Sequence, residues 1–139
     1  MIAFEVRSLS LMEDTISLLD QLQISYVKME DQPLILTRWQ TEDIDRLDIY
    51  ILIGEDEGVI SATAFLGEHV EGMEDWMLRM NHKLAFSFFS LDDDGYPYIN
   101  CRIAKEWLSK EALILAFQGI ISAAEEFKSF REGKMTDET

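Results

Sequence analysis

The stretch LDIYILIGEDEGVISATAFLG, residues 47–67, limits the possible folds more than any other. It holds two alternating runs. Leu47, Ile49, Ile51 and Ile53 share one face of the first, and Ile60, Ala62, Ala64 and Leu66 share one face of the second. Side chains alternate faces along a strand, so each run reads as a strand with one apolar side. The break between them, Glu55-Asp56-Glu57-Gly58, is turn chemistry. A two-residue turn at Asp56-Glu57 pairs Ile53 with Ile60, Ile51 with Ala62 and Ile49 with Ala64. Both apolar faces then land on the same side, and a one-residue slip would set them opposed. An antiparallel sheet with one apolar face needs a covering layer.

A second hairpin follows the same logic. In KLAFSFFSL, Leu84, Phe86 and Phe88 share a face; in YPYINCRI, Ile99, Cys101 and Ile103 do. A two-residue turn at Asp94-Gly95 pairs Phe88 with Cys101 and Phe86 with Ile103, with Gly95 supplying a positive φ. A four-residue turn keeps that parity and a three-residue turn breaks it unless a bulge restores it. SYVKME and LILTRW, split by Asp31-Gln32-Pro33, read as two further short strands, with Pro33 at a strand start or edge.

Helical spacing supplies the cover. Ser10 and Glu13 have capping-box spacing, and Leu11, Thr15, Leu18, Leu19 and Leu22 follow at helical intervals, predicting a helix over Leu11–Gln23. Gly72 precedes Met73, Trp76, Met77 and Met80, a short amphipathic helix. Leu113, Ala116, Phe117, Ile120, Ala124 and Phe127 form the stripe of a long last helix, starting near Ser109 and ended by Gly133. The order is α-β-β-β-β-α-β-β-α. The fold class is α+β, two-layer: a largely antiparallel sheet with three helices on one side. Residues 1–133 read as one domain and residues 134–139 as a frayed tail.

Charge excludes several partners. The chain of 139 residues carries a net charge of −15, and residues 41–80 hold eleven acids against Arg46 and Arg79. Nucleic acids and anionic membranes attract basic patches, and none occurs here. The longest apolar stretch, residues 112–124, is shorter than the roughly 20 residues needed to span a bilayer. The start, MIAFEVRSLS, lacks the basic and apolar runs of a signal peptide. A single cysteine forms no intrachain disulfide. A cytoplasmic location is expected.

The candidate chemistry is thin. Asp92-Asp93-Asp94-Gly95 suggests half of a calcium loop, but placing Gly95 at position 6 puts Ser90 at position 1 and Cys101 at position 12, where oxygen ligands are required. The bare turn is the preferred reading of Asp92–Gly95, as of Glu55–Gly58, with weak cation binding as the alternative. His69, His82 and Cys101 lie on different elements, which fits neither zinc nor a Cys–His nucleophile, and the apolar neighbours of Cys101 predict a buried thiol. Asp48 falls on the face opposite Leu47 and Ile49, as a solvated acid rather than a catalytic one. No phosphate-cradling glycine loop, G-x-S-x-G or H-E-x-x-H occurs. Neither a catalytic residue, a metal nor a cofactor is expected. Trp76, Met77 and Met80 are either core or interface, since Met and Trp suit adaptable interfaces.

The run from SYVKME through ATAFLG, LAFSFFSLDDDGYPYI and SKEALILAFQGIISAAEEF, within residues 10–132, resembles the YbjN-like family of small bacterial proteins, including its uncharacterised cyanobacterial branch. The order α-β-β-β-α-β-β-α resembles the fold of type III secretion chaperones, with one further strand here. The resemblance implies a regulatory or chaperone-like protein without established catalysis. It also implies a dimer built by the middle helix and a nearby strand, which here means Trp76, Met77 and Met80, with Phe89 close by. The expected function is a non-catalytic protein-interaction module with an unidentified protein client, acting as a homodimer. The alternative is a sensor of a small ligand or cation bound between sheet and helices.

Overall fold

A computed structural model describes residues 9–137. The chain runs α1 (Leu11–Gln21), β1 (Tyr26–Lys28), β2 (Leu34–Trp39), β3 (Leu47–Gly54), β4 (Val59–Phe65), α2 (Met73–Lys83), β5 (Ser87–Leu91), β6 (Pro97–Ala104) and α3 (Lys110–Asp137), with one 3-10 turn at Lys105–Trp107. The strands form one six-stranded sheet in the order β1-β2-β3-β4-β6-β5, and every neighbouring pair is antiparallel. The α+β expectation, with four strands before the middle helix, holds.

The first hairpin pairs as its alternation requires: Ile53 opposite Ile60 and Ile51 opposite Ala62. The second does not. Ser87 lies opposite Cys101, Phe88 opposite Asn100 and Phe89 opposite Ile99. The turn is a five-residue loop, Asp92–Tyr96, because Leu91 pairs with Pro97. An odd loop inverts the parity, so Ser87 and Phe89 face the core while Phe86 is 67% exposed. The expected pairing of Phe88 with Cys101 and of Phe86 with Ile103 is therefore corrected. The cause is the Asp92 side chain. Its carboxylate accepts the N–H groups of Asp94 and Tyr96, both at 2.9 Å, and closes a longer loop than Asp94-Gly95 alone would make.

Helix α1 carries the capping box: Ser10 Oγ accepts the Glu13 N–H at 3.0 Å, and Glu13 accepts the Ser10 N–H. It ends at Gln21, short of the expected Gln23, which takes a left-handed backbone at φ 59°. Ser109 Oγ accepts the Ala112 N–H at 3.0 Å and opens α3. That helix passes through Gly133, which was expected to stop it; Gly133 lacks the positive φ by which a glycine terminates a helix.

The core lies between the helices and one sheet face. Ile35, Ile49, Ile51, Ile60, Ala62, Ala64 and Ile99 line that face, and Leu19, Met73, Leu113, Phe117, Ile120 and Phe127 press on it from the helices. Burying each large apolar side chain contributes about 1.5–3 kcal/mol. Thr37 is the polar exception on that face of β2: its hydroxyl donates to the Ile49 carbonyl at 2.9 Å and accepts from Trp39 Nε1 at 2.8 Å. The opposite face carries Leu36, Tyr50, Thr63 and Asn100, half-exposed, together with exposed Leu52 and Phe65.

Candidate interaction surface

Of the four residues expected at an interface, Trp76 and Phe89 meet in one aromatic cluster. The Trp76 ring stacks on Phe130 with centroids 4.9 Å apart and meets Phe89 at 5.2 Å. Phe127 completes the cluster at 5.8 Å from Trp76. Helical spacing on α2 and α3 builds it: Trp76 and Met80 lie one turn apart, as do Phe127 and Phe130. Met77 and Phe89 are buried inside this chain, whereas Trp76 and Met80 are half-buried. Leu78, on the outer side of α2, is 71% exposed. The apolar stripe did not single it out, because it lies off the row of Met73, Trp76, Met77 and Met80.

A second surface was not legible in the sequence. Strand β5 stops at Ser87 opposite Cys101, while β6 continues to Ala104. Beyond that point a cavity of about 440 Å³ opens between β6 and the start of α3. Ile103, Cys101, Ala112 and Ala116 line its apolar interior, and Phe86, Trp107 and Leu115 stand around it. Trp107 is 76% exposed. Glu111 also borders the cavity.

The residues weighed for chemistry stay apart. His69 is exposed and pairs with Glu74, and His82 is exposed on α2. Cys101 is buried, as its strand face predicted, and desolvation pushes its thiol above the usual range. Among the described residues, no group of three or more His, Cys, Asp and Glu could hold a metal ion. Asp92 is committed to its own loop. The Tyr96 N–H, helped by the Tyr98 hydroxyl at 3.0 Å and the Asp94 N–H, holds its carboxyl below the ordinary range against desolvation. Asp48 is held below that range by Arg46 first and by Arg38 as well, with bonds of 2.9 Å to each. It is an ion-paired acid on the outer sheet face. No described helix is long and apolar enough to cross a membrane.

No family model and no curated protein matches the chain. Solved structures do. The ExsC–ExsE complex matches with a TM-score of 0.67 at 12% identity, covering 88% of this chain and 97% of that one. The HopA1–SchA chaperone–effector complex matches with a TM-score of 0.65 at 15% identity, over 88% and 94% of the two chains. YbjN from E. coli, a putative transcription regulator, matches with a TM-score of 0.63 at 12% identity, over 86% and 92%. The chain has the type III secretion chaperone-like fold, shared with YbjN.

Proposed function

We propose that this chain is a non-catalytic, chaperone-like protein-interaction module of the cytoplasm that works as a homodimer and engages a protein client. The observation that carries this reading is the likeness over nearly the whole chain to a chaperone solved with its effector. The exposed apolar side chains Leu78, Phe86 and Trp107 support it, because a strongly acidic monomer gains nothing from leaving them in water. For the pairing of two copies we assign the α2 surface, with Trp76 and Met80 at its margin, Leu78 beside them, and Met77 and Phe89 as its buried support.

Light scattering tests the dimer. The wild type at tens of micromolar should show twice the monomer mass, and Leu78→Asp or Met80→Glu should halve it while the circular dichroism spectrum is kept. A wild-type monomer, or a dimer indifferent to both changes, refutes this interface. Affinity capture followed by mass spectrometry tests the client: one dominant, reproducible partner is expected, and its absence removes the reading.

A further inference from the structure

We propose that the cavity between β6 and the start of α3 binds a small aromatic carboxylate, its ring against the apolar walls and its carboxylate on the Arg102 guanidinium. The proposal goes beyond the interaction-module reading and stands without it.

The space comes from two absences of bulk. Ala112 and Ala116, one turn apart on α3, form the helical wall of the cavity, where larger side chains would close it. Strand β5 reaches only as far as Ser87, opposite Cys101, so the last residues of β6 lack a strand beside them. The result is a cavity of about 440 Å³, with Cys101 and Ile103 in its interior. Small-molecule sites occupy about 300–1,000 Å³ and are mostly apolar, with a few polar groups that orient the ligand. This cavity has that size and that lining.

The rim selects an aromatic body. Phe86 and Trp107 both border the cavity and both are exposed. Neither ring packs on another aromatic ring among the described residues. A flat ring entering here takes apolar surface of both partners out of water. It also gives Phe86 and Trp107 the offset or edge-on neighbour that aromatic rings favour.

Charge selects the head group. Lys105 and Glu106 are adjacent and of opposite sign, as are Lys110 and Glu111, so each pair largely offsets itself. Arg102 remains. It lines the cavity, and the Ser87–Cys101 pairing sets Phe86 opposite it at the rim. Its guanidinium lies 5.2 Å from the centre of the Phe88 ring and makes no ion pair among the described residues. In a chain with 27 acids, this is a cation left without a carboxylate. A guanidinium takes a carboxylate through two parallel N–H bonds, a geometry that a lysine cannot supply. The chain charge of −15 acts from further away, and physiological salt screens it beyond about 8 Å, so the nearby guanidinium decides which head group the rim accepts.

The test titrates 2-naphthoate into the full chain in physiological salt, followed by calorimetry and methyl NMR. A Kd of about 0.1 mM is expected for a ligand of this size. Shifts should concentrate at the methyl groups of Ile103, Ala112 and Leu115. Arg102→Gln should weaken naphthoate about tenfold and leave the neutral 2-naphthamide unchanged. Arg102 is exposed, so that variant keeps the fold. Ala112→Leu, which fills the interior, should weaken both ligands about tenfold. Absence of naphthoate binding at about 10 mM, shifts centred on other residues, or binding indifferent to Arg102→Gln overturns the proposal. Tighter binding of octanoate than of naphthoate overturns it in favour of an acyl chain. Methyl shifts of the same residues on dilution of the free chain overturn it in favour of a second copy in the cavity. Client capture by a chain that binds no naphthoate refutes this site and leaves the module reading intact; naphthoate binding by a chain that captures no client supports the site and refutes that reading.

Discussion

Asn81 holds Phe89 by both of its main-chain groups. The side-chain amide donates to the Phe89 carbonyl at 3.0 Å, and the side-chain oxygen accepts the Phe89 N–H at 2.6 Å. One residue of α2 thereby acts as the missing neighbour of the β5 edge and fixes the strand whose parity decides which phenylalanine enters the core. Asn81→Ala leaves two partly buried backbone groups unsatisfied and should destabilise the fold by about 1–3 kcal/mol. Asn81→Asp keeps an acceptor for the N–H but loses the donor, and should retain part of the loss. Urea unfolding measures both; a midpoint unchanged by Asn81→Ala refutes the role.

This relationship also marks where the sequence stopped being informative. The β3–β4 register was legible because LDIYILIG and VISATAFLG are apolar on one parity only. FSFF is apolar on both, so its pairing rested on the turn length alone, and the turn is five residues rather than two. The decisive contacts, Asn81 on Phe89 and the Trp76–Phe127–Phe130 cluster, join side chains of different elements, which no single element's pattern contains. The local signal that existed was Asp92, whose side chain can close a loop onto N–H groups further along. The groove was illegible for a related reason: it arises from β6 outrunning β5, a difference in strand length that neither strand's pattern contains.

Asp92 should give the loop a measurable pH dependence. Hydrogen bonds from the Tyr96 N–H and its neighbours depress the folded pKa, so the unfolded chain binds the proton more tightly. Stability from this group is complete above the unfolded carboxylate range, about 4, and is lost as pH falls through the folded value. Between about pH 5 and about pH 3, wild type should lose more stability than Asp92→Asn, which has no such proton to bind. Comparison with the variant removes the contribution common to the other acids. Parallel losses in the two proteins would show that the loop bonds contribute nothing.

Cys101 should be inert until the fold opens. It is 4% exposed, and desolvation raises its pKa, which lowers the reactive thiolate fraction. At about pH 8, reaction with an aromatic disulfide reagent should be about 100-fold slower in the native chain than in denaturant. Increasing urea below the unfolding transition should accelerate it in proportion to the open population. Rapid native labelling would place the thiol at the surface of the groove rather than in its interior.

Helix α1 is capped twice, and the two caps can be separated. Ser10 Oγ takes the Glu13 N–H. The Glu55 carboxylate, from the tip of the β3–β4 hairpin, takes the N–H groups of Leu11 at 3.1 Å and Met12 at 3.0 Å. The first bond is local and was legible as a capping box; the second is tertiary and fastens the helix to the hairpin. Ser10→Ala should cost about 0.5–2 kcal/mol, the range for losing a capping side chain. Glu55→Ala should cost a similar amount, because it frees two first-turn donors. Glu55→Gln keeps an acceptor and removes only the charge favoured at a helix N-terminus, a loss of about 0.3–1 kcal/mol. Since the two caps serve different N–H groups, the double change Ser10→Ala/Glu55→Ala should approach the sum of the single ones in urea unfolding. A double variant no less stable than either single one would mean that both caps act through one shared interaction.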